Sequence, residues 1–202
     1  QAGDYPDIIV GCTGGGSNLA GLMFPFLGQQ LRGGQKIDII GCEPLSCPSF
    51  TKGTYAYDHG DMARMTPLIK MHTLGSDFLP PANHSGGLRY HGMSYHLSHL
   101  YNLGLMRAKA YGQKDCFEAG VIFGKQEGII PAPEGNHAVK GAIDAALECK
   151  EKGESKTILF NLCGHGHFDM TAYDDYFNGR LADDFYDENS VNQSLSKLPE
   201  IA

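Results

Sequence analysis

The feature that most restricts this chain is the run Gly11-Cys12-Thr13-Gly14-Gly15-Gly16-Ser17-Asn18. It lies between a short apolar segment, Asp7-Ile8-Ile9-Val10, and the helix-compatible Leu19-Ala20-Gly21-Leu22-Met23-Phe24. A short apolar run predicts a buried strand, and a glycine turn opening directly into a helical pattern predicts a strand–loop–helix unit. A second strand is expected at Lys36-Ile37-Asp38-Ile39-Ile40-Gly41. Strand, turn, helix and strand within about 35 residues make a βαβ unit, whose strands are parallel if they are neighbours. The expected fold class is α/β, with an open, mostly parallel sheet and flanking helices.

Residues 42–92 are rich in Gly, Pro, His and Asp with little periodicity, which predicts a long functional loop region. Helical patterns resume at 94–103, 115–125 and 133–152. The last repeats Ala138, Ala142, Ile143, Ala146 and Leu147 on one face and stops at Gly153. Thr157-Ile158-Leu159-Phe160-Asn161-Leu162 is the clearest buried strand, and it runs into a second glycine turn, Cys163-Gly164-His165-Gly166-His167, before a short helix at 171–177. Beyond Asn178 the mix of Asp, Asn, Ser and Lys lacks an apolar period. The expected organisation is one α/β domain over residues 1–178 and a surface tail over 179–202.

Composition excludes several roles. At 202 residues and 42% hydrophobic content the chain can bury a sizeable core. A net charge of −7 without a run of Lys and Arg argues against a nucleic-acid partner. No stretch approaches the roughly 18 apolar residues of a membrane span, and Gln1-Ala2-Gly3-Asp4-Tyr5-Pro6-Asp7 resembles neither a signal nor a transit peptide. A cytoplasmic protein is expected. The six cysteines, at 12, 42, 47, 116, 149 and 163, are scattered rather than packed as a disulfide framework, which predicts reduced thiols. The chain lacks an initiator Met and enters a strand within a few residues, so a fragment of a larger protein is expected.

In open α/β sheets ligands bind beyond the carboxyl ends of the strands, where a glycine turn aims backbone N–H groups at an anion and a helix N-terminus adds its dipole. Gly14, Gly15, Gly16, Ser17 and Asn18 meet that description as a phosphate cup, with Ser17 and Asn18 able to donate side-chain hydrogen bonds and cap the helix. The alternative is a flexible turn that only caps a helix. The run is neither a G-x-G-x-x-G dinucleotide fingerprint nor a P-loop. Pyridoxal phosphate (PLP) fits, because one such cup can hold its single phosphate while other residues address the ring. A zinc site is the competing use of Cys163, His165, His167, Cys42, Cys47, His72, His84 and His91. Neither Cys-x-x-Cys nor His-Glu-x-x-His occurs, so no metal is expected.

Three segments in order, Gly14-Gly15-Gly16-Ser17-Asn18, Glu127-Gly128-Ile129-Ile130-Pro131-Ala132 and Asn161-Leu162-Cys163-Gly164-His165-Gly166, resemble the tryptophan synthase β chain over residues 7–177. Phe50-Thr51-Lys52-Gly53, Lys70-Met71-His72-Thr73-Leu74-Gly75 and Gly86-Gly87-Leu88-Arg89-Tyr90-His91-Gly92 are similar to its second subfamily, rather than the one usually partnered with an α subunit.

The resemblance implies the C-terminal part of a fold-type II PLP enzyme that joins indole to L-serine, or phosphoserine, to give tryptophan. It implies that Gly14, Gly15, Gly16, Ser17 and Asn18 hold the phosphate and that Cys163, with Gly164 after it, faces the pyridine nitrogen where the family usually has serine. A thiol is the weaker donor; the other reading of Cys163 is a buried structural cysteine. Glu127 would stand in a loop beside the ring, or be a solvated surface carboxylate. Asp77 would close over the substrate, or be a turn aspartate. Carbonyls around Phe78 and Pro80 would join Gly14 around a monovalent cation.

The family's lysine, which forms the Schiff base with the cofactor, lies in a His-Lys-x-Asn setting, and none of the eleven lysines here has it. An N-terminal half carrying that lysine is the expected partner, and this chain alone is expected to be inactive. A homodimer is expected, with an α subunit not obligatory. The alternatives are a threonine synthase-like or cysteine synthase-like enzyme, or a phosphate-ligand-binding module without chemistry.

Overall fold

The computed structural model describes residues 3–183 and 185–200. Gln1 and Ala2 of the expected domain, and Asp184, Ile201 and Ala202 of the expected tail, lie outside the described residues. In chain order the elements are β1 (Ile8–Cys12), α1 (Ser17–Leu31), β2 (Asp38–Pro44), α2 (Ser49–Lys52), β3 (Thr54–His59), β4 (Leu68–Thr73), α3 (Tyr95–Asn102) and β5 (Arg107–Tyr111). They continue with α4 (Gln113–Glu127), α5 (Pro133–Lys152), β6 (Ile158–Phe160), α6 (Met170–Phe177) and α7 (Glu188–Leu195).

Four strands form one sheet in the order β5-β2-β1-β6, and every pairing in it is parallel. Register runs from Ile8 opposite Asp38 to Cys12 opposite Cys42, and from Ile8 opposite Ile158 to Val10 opposite Phe160. Side chains alternate along a strand, so the central strands feed two cores. Ile9 and Ile39 pack with Leu19, Met23 and Leu27 of α1 and Leu97 of α3. Ile8, Val10, Ile40 and Cys42 face the other way, onto Cys116 of α4 and Ala145 and Cys149 of α5. Full burial of a side chain such as Ile9 contributes about 1.5–3 kcal/mol. Helix α5 lies so close to the sheet that a Cβ on Gly141 would fall 2.4 Å from the Cys42 sulfur and 2.8 Å from Val10.

Because the strands are parallel, their carboxyl ends share one edge. The turn after Cys12, the loop after Pro44 and the turn after Phe160 meet there, and this edge carries the site.

The structure departs from expectation in three places. Residues 42–92 are not a long loop: they hold α2, the antiparallel hairpin β3–β4 and a 3-10 turn at Gly86–Leu88. Buried polar groups hide that hairpin from a hydrophobicity pattern, since Asp58 is buried and accepts from Thr73 Oγ1 at 2.7 Å. Strand β5 was not expected because Arg107 and Lys109 interrupt its apolar run; both are neutralised laterally, Arg107 by Asp38 and Glu148, and Lys109 by Glu148.

The third departure is residues 179–200, expected as a surface tail. There Asp187 caps α7 by accepting from the Asn189 and Ser190 amides, and Val191 packs with Cys47, Leu74 and Phe78. Leu181 packs with Phe117 and Tyr173. Two apolar residues one turn apart, Val191 and Leu195, dock this helix without making a visible period. Among the described residues no helix is long and apolar enough to cross a membrane.

Candidate functional site

The turn after β1 is built for close approach. Thr13 N–H donates to the Cys42 carbonyl at 2.7 Å, which ties the turn to β2, and the Gly15 carbonyl accepts from Ser94 N–H at 2.9 Å, which ties it to the start of α3. Glycine is required at two points. A Cβ on Gly14 would lie 2.6 Å from Leu88 Cα and 2.8 Å from the Gly87 carbonyl oxygen, and Gly16 has φ 96° with Leu97 and Met93 at 2.7 Å from where its Cβ would be. A left-handed φ with no room for a Cβ leaves glycine as the unstrained choice.

Gly16 is the N-cap of α1, so no side chain caps the helix. This corrects the expected capping by Ser17 and Asn18: Ser17 is exposed, and Asn18 Oδ1 instead accepts from Asn161 Nδ2 at 2.9 Å. Among the described residues the first amide after the turn that donates to it is that of Ala20, to the Gly16 carbonyl at 3.0 Å. The amides from Gly14 to Leu19 have no protein acceptor there. Clustered free N–H groups at the start of a helix of 15 residues form a positive, anion-seeking surface. The Thr13 hydroxyl beside them is buried and has no partner among the described residues. Free amides, an orphaned hydroxyl and a glycine cradle fit a phosphate group.

The second glycine turn is drawn to the first. Asn161 N–H donates to the Val10 carbonyl at 3.2 Å, which extends β6 beside β1. Cys163 then meets Cys12 with their sulfurs 3.4 Å apart. The hydrogen bond with Cys12 holds the Cys163 thiol below the ordinary thiol range, while the same bond and burial push Cys12 far up. Cys163 packs beside Leu88 and Ala138 as well as Cys12. It stands near the N-terminus of α5, where a Cβ on Gly135 would come within 3.1 Å of its carbonyl oxygen. Gly164, exposed and at φ 71°, turns the chain away from the sheet.

The other expected residues stand apart. Glu127 is the exposed last residue of α4 rather than part of a loop, because the left-handed residue that ends the helix is Gly128, at φ 71°. The segment after it is fastened to the second glycine turn by Gly166 N–H to the Ile130 carbonyl at 2.8 Å, and by a bridge between Pro131 and His165. Asp77 is not brought to the glycine turn. It lies in a turn closed by Phe78 N–H to the Gly75 carbonyl, and ion pairs with Arg64 at 2.8 Å and Lys197 at 2.9 Å hold its carboxyl below the usual range. The Pro80 carbonyl, expected near a monovalent cation, accepts from the Arg89 guanidinium at 2.5 Å, so that oxygen already has one positively charged donor. His165 and His167 are exposed with ring centroids 5.0 Å apart. No group of three His, Cys, Asp or Glu disposed for a metal ion occurs among the described residues.

Sequence reasoning missed Thr13, Cys12, Leu88, Tyr90 and Asn161 as parts of this edge. Tyr90 lines the turn, with its ring 3.5 Å from where a Gly15 Cβ would lie, and Glu134 of α5 fixes Gly87 by accepting its N–H at 2.8 Å. The adjacent Gly86-Gly87 pair was the available signal for a close backbone approach. A cavity of about 710 Å³ lies at the opposite edge, beneath the amino ends of β1 and β2. Its Asp38, Arg107 and Glu148 are paired with each other, and it is on the side where α/β sheets do not bind ligands.

The chain is similar to known proteins in sequence and in fold. The family model described as pyridoxal-phosphate dependent enzyme matches residues 1–164. The chain is 57% identical to tryptophan synthase beta chain 2 of Aquifex aeolicus over 186 residues, covering 91% of this chain and 43% of that protein. It is 57% identical to tryptophan synthase beta chain 2 of Methanosarcina mazei over 181 residues, covering 90% of this chain and 41% of that one. With the tryptophan synthase beta chain of Pyrococcus horikoshii the figures are 51% over 196 residues, 97% and 42%. The chain thus spans about two fifths of the length of these curated relatives. Among solved structures, a fungal L-serine ammonia-lyase from Rhizomucor miehei superposes with a TM-score of 0.61 at 14% identity, over 88% of this chain and 51% of that one; this shows a shared fold. By the match over residues 1–164, the chain belongs to the pyridoxal-phosphate dependent enzyme family.

Proposed function

We propose that the protein containing this chain condenses L-serine, or phosphoserine, with indole to form L-tryptophan, using PLP seated at the carboxyl edge of the sheet. The observation that carries this reading is the convergence of two glycine turns. Free amides from Gly14 to Asn18 at the start of α1 stand beside Cys163, in a chain 51–57% identical to tryptophan synthase beta chains. When bound, PLP draws electrons from the amino acid's Cα, which lets the β-oxygen leave and indole take its place.

In this reading the amides of Gly14, Gly15, Gly16, Ser17 and Asn18 bind the phosphate, with the Thr13 hydroxyl positioned to add a hydrogen bond. Asn18 is oriented by Asn161 rather than by the helix end. Cys163 would face the ring nitrogen, and Gly164, which has no side chain, would leave the ring's approach clear. Because the Cys163 sulfur is already engaged with Cys12 and a thiol is a weak donor, its contact to that nitrogen would be weak. Glu127 and Asp77 stand apart from the two glycine turns, and for Asp77 to reach a substrate its pairs with Arg64 and Lys197 must exchange. The lysine that holds the cofactor and moves the α-proton comes from sequence outside these 202 residues. A cytoplasmic location and a dimer belong to the same reading, the dimer supported by the apolar face that Phe24, Leu27 and Leu31 of α1 share with Tyr95 and Leu100 of α3.

The test is tryptophan formation from serine and indole by the full-length protein, with and without PLP. PLP-dependent tryptophan is expected. Cofactor binding without tryptophan, or with a different β-substituted amino acid as product, would assign the chain to another reaction of the family.

A further inference from the structure

Among six free cysteines, Cys12 and Cys163 are set apart by geometry. Cys12 ends β1, Cys163 follows the neighbouring parallel strand β6 by three residues, and their sulfurs are 3.4 Å apart at the edge where the glycine turns meet. A disulfide brings sulfurs to about 2.05 Å, so closing this pair needs a movement of little more than an ångström. The backbone allows it: Cys163 is half-buried and is followed by exposed Gly164, with no β-structure holding it. The two thiols differ in the way a reactive pair requires, since Cys163 reaches solvent whereas Cys12 is buried. Cys42 and Cys116, by contrast, are sealed in the core between sheet and helices.

We propose that Cys12 and Cys163 form a reversible disulfide when the cofactor site is open, with hydrogen peroxide as oxidant. The Cys163 thiolate attacks the peroxide oxygen and the O–O bond breaks. Cys163 becomes a sulfenic acid, and hydroxide leaves to be protonated to water. The Cys12 thiol then attacks the sulfenic sulfur; the S–S bond forms, the S–O bond breaks and a second water leaves with the Cys12 proton. Both cysteines are thereby oxidised by two electrons in total, and one peroxide is reduced to two waters. A thiol reductant reverses the change. The bridge alters the surface that Cys163 presents beside the glycine turn, so bridge and cofactor exclude each other. That second statement rests on the proposed PLP reading; the disulfide itself does not.

The test uses the full-length protein, either stripped of PLP or loaded with it, exposed to hydrogen peroxide and mapped as non-reduced peptides by mass spectrometry. In the stripped protein we expect a linked pair of peptides containing Cys12 and Cys163, lighter by two hydrogens and separated by dithiothreitol. PLP slows its formation several-fold, and oxidised protein takes up PLP only after reduction. Cys12→Ser and Cys163→Ser each abolish the link and Cys42→Ser does not. The wild-type map carries the test even where a variant fails to fold. Oxidation of Cys163 to sulfinic or sulfonic acid without a link, or no oxidation, overturns the proposal while leaving PLP binding by the reduced protein untouched. A link that forms at the same rate with and without bound PLP overturns the exclusion. A link in a protein whose reduced form never binds PLP refutes the cofactor reading and leaves the thiol pair standing.

Discussion

At position 14 an added methyl group would meet backbone, Leu88 Cα at 2.6 Å and the Gly87 carbonyl at 2.8 Å, rather than the movable end of a side chain. Gly14→Ala must therefore push the 3-10 turn or the phosphate turn out of place. Contacts of this kind cost about 1–3 kcal/mol, which corresponds to a roughly 5- to 150-fold loss of PLP affinity if the strain is carried by the turn. Equilibrium titration of the variant, with circular dichroism to confirm an unchanged fold, measures it; unchanged affinity would show that the turn does not bind the phosphate. Cys163→Ser makes the opposite prediction. A hydroxyl is the better donor, and a neutral hydrogen bond is worth about 0.5–1.5 kcal/mol, so PLP should bind roughly two- to tenfold more tightly, with a shifted cofactor absorbance. Weaker binding would mean that Cys163 serves the core rather than the ring.

Among the elements, α5 is the most demanding in its packing. Gly141 lets it close on Val10 and Cys42, and Gly141→Ala should lower stability by about 1–3 kcal/mol through overpacking, read as a lower urea midpoint at unchanged m-value. No loss would mean that α5 can slide on the sheet without cost.

Legibility in the sequence follows the same physics. Strands β1, β2 and β6 and helices α1, α4 and α5 were readable because both faces of the sheet are covered by helices, which leaves runs such as Ile8-Ile9-Val10 apolar throughout. Strand β5 was not readable, because Arg107 and Lys109 are neutralised by side chains far away in sequence, at Asp38 and Glu148. The hairpin β3–β4 was hidden by buried Asp58, whose partner Thr73 lies on the other strand. At the site, the glycine turns announced themselves, whereas Asn161, which orients Asn18 across 143 positions, carries no local signal. The Asp77 pairs with Arg64 and Lys197 depend on the docking of α7 and were equally invisible.

Over the whole molecule, two fully buried groups titrate in opposite directions. Burial raises Glu43 from 4.5 to about 7, against hydrogen bonds from Phe50 and Thr51, and burial lowers His137 from 6.5 to about 4. The Glu43 contribution is fully present below pH 4.5 and is lost as pH rises through 7. The His137 contribution is present above pH 6.5 and is lost as pH falls through 4. Between pH 4.5 and 6.5 the folded state holds the Glu43 proton and the unfolded state holds the His137 proton, so the two slopes cancel. Glu43→Gln removes one of them. Its stability should rise with pH across that window at about 1.4 kcal/mol per pH unit relative to wild type, measured by urea unfolding; a difference that stays flat would show that Glu43 ionises normally.

The central claim, that the turn from Gly14 to Asn18 receives the cofactor phosphate and Cys163 the ring nitrogen, is tested most directly by a crystal structure of the full-length protein grown with PLP. The phosphate oxygens should lie within hydrogen-bonding distance of the Gly14 to Asn18 amides, with the pyridine nitrogen opposite the Cys163 sulfur. Phosphate density held anywhere else on the chain would contradict the account.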